Sequence, residues 1–169
     1  MMQAKPVKVA VRLPNAALPQ ADWADCYQLD IPGNNLSAID AAKLALGHFP
    51  LWVRLLMRLR NIIVAPFGLK STADHSPGTI EMVGPFPVLS RSQEQVVLGF
   101  NDRHLDFRII VDVADRGGRQ TISVATLVRR KIMLGRIYIA AITPFHRLIV
   151  IAILSRLGRR LSISQRPSR

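Results

Sequence analysis

His104, Asp106 and Arg108 stand at alternate positions in the run His104-Leu105-Asp106-Phe107-Arg108. On a strand, alternate side chains leave the same face about 7 Å apart. That spacing could array a base, an acid and an anion anchor around one substrate, making His104, Asp106 and Arg108 the candidate catalytic residues. The plainer reading is a solvated ladder of charges on the convex side of a sheet, because Leu105, Phe107, Ile109, Val111 and Val113 form the obvious core face.

A second polar point lies near the C-terminus, where His146 and Arg147 follow Pro144 inside an otherwise apolar segment. A proline within a helix frees a carbonyl, and a histidine beside that break could hold a polar group of a ligand. Helix-end packing accounts for the same residues. Arg136, Ala140, Thr143 and Arg147 share one helical stripe, so Arg147 could equally mark the solvent side.

Other chemistries find little footing. His48, His75, His104 and His146 are far apart, and none has a neighbour at ligand spacing, so no metal site is expected. No Gly-x-Ser-x-Gly elbow or phosphate loop is present, and the single cysteine, Cys26, sits in a predicted strand with no histidine near it. No Gly-x-Gly-x-x-Gly follows a strand, so a dinucleotide site is not supported, and no cofactor is expected.

The elements that must position these residues follow from periodicity. Residues 24–31 read as a strand closed by Pro32-Gly33. Ser37 with Asp40 resembles a capping box, and Ile39, Ala42, Leu46 and Phe49 then recur at helical spacing. Pro50 suits the first turn of a second helix with a stripe of Trp52, Leu55, Leu56, Leu59, Ile62 and Ile63 opposite Arg54, Arg58 and Asn61. Residues 66–78, with Pro66, Gly68, Pro77 and Gly78, read as an ordered start followed by a mobile loop that resembles a pocket-side loop.

Strands are expected near 80–91, 95–100, 104–114 and 119–128, parted by turns at Ser92, Asn101-Asp102 and Gly117-Gly118. A long apolar helix follows from Met133 to about Leu157, kinked at Pro144. The arrangement that buries all these apolar faces together is α+β: a curved antiparallel sheet around a long C-terminal helix, with two shorter helices after the first strand. Residues 1–157 form one domain in this reading, and residues 158–169 form a disordered basic tail.

The chain has 169 residues, 49% of them hydrophobic, which excludes an intrinsically disordered protein and suits a single domain. Its net charge of +12 is placed unevenly. Residues 1–115 hold 11 Lys/Arg and 11 Asp/Glu, whereas residues 116–169 hold 12 Lys/Arg and no acid. Such asymmetry points to something anionic, either phospholipid or nucleic acid, or else to a merely solvated tail.

After Arg147 the helix is apolar all round, then carries Arg156, Arg159 and Arg160, so Arg147, Arg156, Arg159 and Arg160 could meet an anionic membrane surface. Arg136, His146 and Arg147 interrupt any window long enough to span. Burial in the domain's own core or in a homodimer would also accommodate that end. Nucleic acid is not an expected partner, since the basic end lacks interleaved aromatics and any reading motif. Val7, Val9, Val11 and Leu13 alternate with polar or small residues instead of forming the apolar run of an export signal. With one cysteine, this suggests a bacterial cytoplasm or the inner face of its membrane.

Several segments resemble the domain-of-unknown-function family 2867: Pro50-Leu51-Trp52-Val53-Arg54-Leu55-Leu56-Met57, Gly68-Leu69-Lys70, and Asp102-Arg103-His104-Leu105-Asp106-Phe107-Arg108. Gly135-Arg136-Ile137-Tyr138 and Pro144-Phe145-His146-Arg147-Leu148-Ile149-Val150 look like that family's terminal helix, and the resemblance covers about residues 20–157. The family is similar in layout to START-like (helix-grip, SRPBCC) proteins, and related domains occur fused behind short-chain dehydrogenase-like domains. The family has no established activity; the resemblance together with the element order suggests a non-catalytic or weakly catalytic pocket between sheet and terminal helix, taking a small lipophilic molecule. Leu105, Phe107, Val124, Tyr138, Phe145 and His146 are the expected lining. A pocket enzyme working through His104, Asp106 and Arg108 is the alternative by analogy of fold.

Overall fold

Gly117 and Gly118, at φ +55° and +83°, take left-handed backbone that side chains disfavour, and they turn the chain between its two longest strands. The computed structural model that shows this describes residues 5–33, 35–64, 81–102 and 104–164. The elements run β1 (Val7–Val9), β2 (Trp23–Pro32), α1 (Ala38–Leu46), α2 (Leu51–Val64), β3 (Met82–Val83), β4 (Phe86–Arg91), β5 (Gln95–Asn101), β6 (Leu105–Asp115), β7 (Arg119–Arg130) and α3 (Met133–Ser164). The loop expected over 66–78 lies outside the described residues.

The strands form one antiparallel sheet in the order β1-β2-β7-β6-β5-β4-β3. With the long C-terminal helix and two shorter ones after β2, this is the α+β helix-grip layout that the element order predicts. Two details differ. Residues expected as one strand over 80–91 are divided into β3 and β4 at Gly84-Pro85, where proline has no N–H for a ladder. Val7–Val9 adds an edge strand beside β2, paired Val7 with Gln28 and Val9 with Cys26.

Ser37 caps α1 as its sequence implies: its hydroxyl accepts the Asp40 N–H at 3.3 Å and donates to the Asp40 carboxylate at 2.5 Å. Ala38, Ala41, Ala42 and Ala45 are all buried, and side chains this small let α1 lie close on the sheet. Gln120 of β7 fixes the entry to α1, accepting from the Leu36 N–H and donating to the Leu36 carbonyl. In α2 the buried anchor is Val53, with Leu56 and Met57 half-buried. Of the expected stripe, Trp52 and Leu55 are exposed and Leu56 is half-buried, while the side chains of Leu59, Ile62 and Ile63 lie outside the described residues.

The main core lies between the sheet and α1 and α3. Tyr27, Leu29 and Ile31 of β2, Ile109, Val111 and Val113 of β6, and Ile122 and Val124 of β7 meet Val150, Ile153, Leu154, Leu157 and Leu161 of α3 there. The α3 helix continues to Ser164 and buries Gly158 and Leu161, so the tail expected from residue 158 is still helix at its start. Residues 165–169 are outside the described residues. The opposite sheet face, which alternation in β6 marks as wet, carries a second apolar layer. Cys26, Val97, Ile110, Ala125 and Leu127 are covered by Leu18, with Val9, Val11, Ala17 and Ala21 packed alongside.

Candidate functional site

Along β2, period-two alternation sends Tyr27, Leu29 and Ile31 toward α3, and carried two residues back it sends Asp25 the same way. Its neighbour across the ladder is Thr126 of β7, also buried. On α3, the stripe that buries Ile139 and Val150 passes through His146, because residues three and four apart share a helix face. The sequence therefore drives a carboxylate and an imidazole into the same apolar interface.

They meet there. His146 Nε2 is 3.2 Å from Asp25 Oδ1, with the Asp25 side chain 3% exposed and that of His146 23%. The Trp23 ring packs edge-on against the imidazole, centroids 5.8 Å apart. The second carboxylate oxygen, Asp25 Oδ2, is buried and has no hydrogen-bond partner among the described residues. Burial raises the Tyr27 phenol above its ordinary pKa, the Asp25 charge adds to that, and Arg147 opposes it, so the phenol stays neutral at physiological pH. Beside α3's proline, the Thr143 hydroxyl donates to the Ile139 carbonyl at 2.5 Å, and the helix is unbroken through Pro144.

Trp23 also belongs to a satellite apolar cluster at this end of α3. Leu105, Val128 and Ile139 are its buried members, with Trp23, Phe107, Tyr138 and Ile142 half-buried around them. Of the expected lining residues, Leu105, Phe107 and Tyr138 thus come together, and His146 joins them through Trp23. Phe107 further packs edge-on against Phe100 and Phe86. Val124 is elsewhere, in the main core, and Phe145 is 51% exposed on the outer side of α3. Asp25 was not among the sequence candidates; its signal was an acid at a core-facing position of an alternating strand.

A buried carboxylate against an imidazole can fix the ring's tautomer and orientation, and its free oxygen can accept a hydrogen bond from a bound group. Among the described residues no three His, Cys, Asp or Glu side chains converge as a metal-ligand cluster. Two open clefts lie away from this pair. One of about 340 Å³ is bordered by His48, Phe49, Arg54, Arg58 and Gly84, and one of about 410 Å³ by Lys5, Val7, Gln28, Asp30 and Arg119.

Of the run His104, Asp106 and Arg108, the Asp106 and Arg108 side chains are engaged in structural contacts, whereas His104 Nδ1 is buried without a hydrogen-bond partner among the described residues. His104 precedes β6, and its carbonyl accepts the Lys131 N–H at 3.1 Å. Asp106 is buried, with Lys131 Nζ 2.7 Å from Oδ1, close though not aligned as a hydrogen bond, and Arg129 Nη1 3.8 Å from Oδ2. Lys131 Nζ also donates to the Asp102 carbonyl at 2.7 Å. Arg108 donates to the Phe100 and Phe107 carbonyls and to Asn101 Oδ1. Burial lowers the Arg108 pKa from its usual range, with Asp106 acting in the other direction. Opposite Arg108 in the ladder, Gly99 at φ +146° leaves no space for a Cβ, which would run into the Phe107 carbonyl.

On the basic segment, Arg156 is half-buried and its Nη1 donates to the His48 carbonyl at 3.4 Å, while Arg136, Arg147, Arg159 and Arg160 are exposed.

Residues 17–153 match a family model described as a protein of unknown function, DUF2867. Among curated proteins and among solved structures, none matches the chain significantly.

Proposed function

The chain belongs to the DUF2867 family, and from its geometry we propose that it binds a small lipophilic molecule carrying a hydrogen-bond-donating polar group, at the junction of β2 and α3. The observation that carries this reading is Asp25: its side chain is 3% exposed, yet Oδ2 has no partner among the described residues. A buried, unsatisfied polar atom costs about 1–3 kcal/mol, and more when the group is charged. Such a cost in a native interface calls for a compensating partner.

A ligand hydroxyl or amine donating to Asp25 Oδ2 supplies that partner. The half-buried surfaces of Trp23, Tyr138 and Ile142 offer an apolar bed for the rest of the molecule. His146, the more exposed member of the pair, would order the carboxylate beside the bound group.

Native mass spectrometry tests this on the purified chain and on an Asp25→Leu/His146→Leu variant. The wild-type chain is expected to carry a lipophilic adduct that collisional activation releases, and the folded variant is expected to lack it. A wild-type chain bare at its calculated mass, or an adduct that the variant retains, overturns the proposal.

A further inference from the structure

The α3 helix is apolar on two opposite sides, and the core uses one of them. Gly135, Ile139, Val150, Ile153, Leu154, Leu157 and Leu161 are buried. On the other side Met133 is 68% exposed, Ile137 61%, Phe145 51%, Leu148 60% and Ile151 38%. At 3.6 residues per turn these five fall within about 120° of arc, centred opposite the buried stripe. Ala141 and Pro144, exposed as well, fill the positions between them. An isolated exposed Leu is ordinary, but a continuous apolar strip along several turns marks a contact surface.

The charges that α3 itself places around the strip are of one sign. Arg136 and Arg147 flank it along one side, and Arg159 and Arg160 stand exposed beyond its C-terminal end. The helix Met133–Ser164 contains no acidic residue, nor does any position from 116 onward. Contrary to the expectation that Arg136, His146 and Arg147 interrupt every spanning window, Met133–Ser162 is by length and composition apolar enough to cross a membrane, but its inner face is part of the domain's own core. A helix whose one face is committed to a folded core and whose other face is apolar and rimmed by cations suits the plane of a bilayer surface.

We propose that the outer face of α3 docks on an anionic membrane surface, with Ile137, Phe145 and Leu148 entering the headgroup layer and Arg136, Arg147, Arg159 and Arg160 meeting lipid phosphates. A second copy of the chain fits less well: pairing two such faces would gather arginines from both helices with no carboxylate on either. This surface lies opposite the Asp25–His146 pair, so the docking stands or falls independently of the ligand reading.

The test is co-sedimentation of the full chain with vesicles of phosphatidylcholine alone and of phosphatidylcholine mixed with phosphatidylglycerol, at low and at high salt. Binding is expected to the anionic vesicles, weakening with salt. An Ile137→Glu/Leu148→Glu variant should lose it, and an Arg136→Gln/Arg147→Gln variant should weaken it by about fivefold for each arginine removed. All four substituted side chains are exposed, so both variants are expected to remain folded, which thermal melts check. Absence of binding to anionic vesicles, or equal binding to both kinds, overturns the proposal. So does a dimer in analytical ultracentrifugation that Ile137→Glu/Leu148→Glu dissociates, which would assign the face to a second copy.

Discussion

Asp25 of β2 and His146 of α3 stand 121 residues apart in the chain and meet with Nε2 and Oδ1 3.2 Å apart inside the sheet–helix interface. The two partners differ in exposure, the carboxylate being buried and the imidazole reaching solvent along one edge. That asymmetry predicts unequal mutational effects. His146→Ala leaves a buried carboxylate without its partner and is expected to cost about 3 kcal/mol. Asp25→Leu/His146→Leu removes both polar groups in favour of apolar ones, and should be neutral or stabilising by about 1 kcal/mol or more. Urea-unfolding midpoints of the two variants decide the matter. If the double variant loses as much stability as His146→Ala, the pair contributes more than its desolvation costs.

How much of this was legible in the sequence depends on whether the signal was local. Ser37 and Asp40 are three residues apart, so the cap of α1 could be read directly. Leu105 to Val113 alternate within one strand, so the core face of β6 could be read too. The Asp25–His146 pair could not be, because it depends on where α3 crosses β2. Its one local trace was the inward phase of Asp25 relative to Tyr27 and Leu29. The cover on the outer sheet face was hidden for another reason: Ala17, Leu18 and Ala21 lie between Pro14 and Pro19 or just after them and have no sheet or helix period. The end of α3 was misread because Arg159 and Arg160 mask Gly158 and Leu161, which still face the core.

The Lys131 ammonium links three parts of the structure, standing 2.7 Å from Asp106 Oδ1 and donating to the Asp102 carbonyl just before α3 begins. Lys131→Met keeps the aliphatic stem and removes the charge, leaving buried Asp106 with the more distant Arg129 and the charge of Arg108 as cationic neighbours. A loss of about 3 kcal/mol in chemical denaturation is expected, the range for breaking a buried pair by removing one partner. Arg129 is more exposed, its side chain at 41%, so Arg129→Gln should cost under about 1 kcal/mol. Similar losses for both would mean that Asp106 is held by the net charge around it and not by Lys131.

Cys26 lies on the outer sheet face beneath the N-terminal segment, where its thiol pKa is raised to about 11. Burial is the main cause, and the negative charges of Asp112 and Asp25 add to it. Raised above its unfolded value near 9, the thiol holds its proton more tightly in the native state. Its contribution to stability is therefore complete below about pH 9 and declines as the pH rises toward 11. A Cys26→Ala variant should lack this part of the alkaline loss. The native thiol should also react far more slowly with a disulfide reagent at pH 8 than the same thiol in urea. Equal rates would show that the segment around Leu18 does not cover it.

The two-sided use of α3 can be tested apart from any membrane. Leu154 is 0% exposed in the core between sheet and helix, and Leu148, six positions earlier on the same helix, is 60% exposed. Truncating a buried leucine removes its transfer free energy and leaves a cavity, so Leu154→Ala should cost about 2–5 kcal/mol. Leu148→Ala has no cavity to leave and should change stability by less than about 0.5 kcal/mol. The comparison reads the rotation of α3 about its axis, because a helix turned by half a turn would exchange the two values. It also separates two reasons for a leucine to be apolar. Leu154 is apolar because folding requires it. If Leu148→Ala leaves the fold unchanged, the need for an apolar side chain there comes from what the outer face of α3 touches.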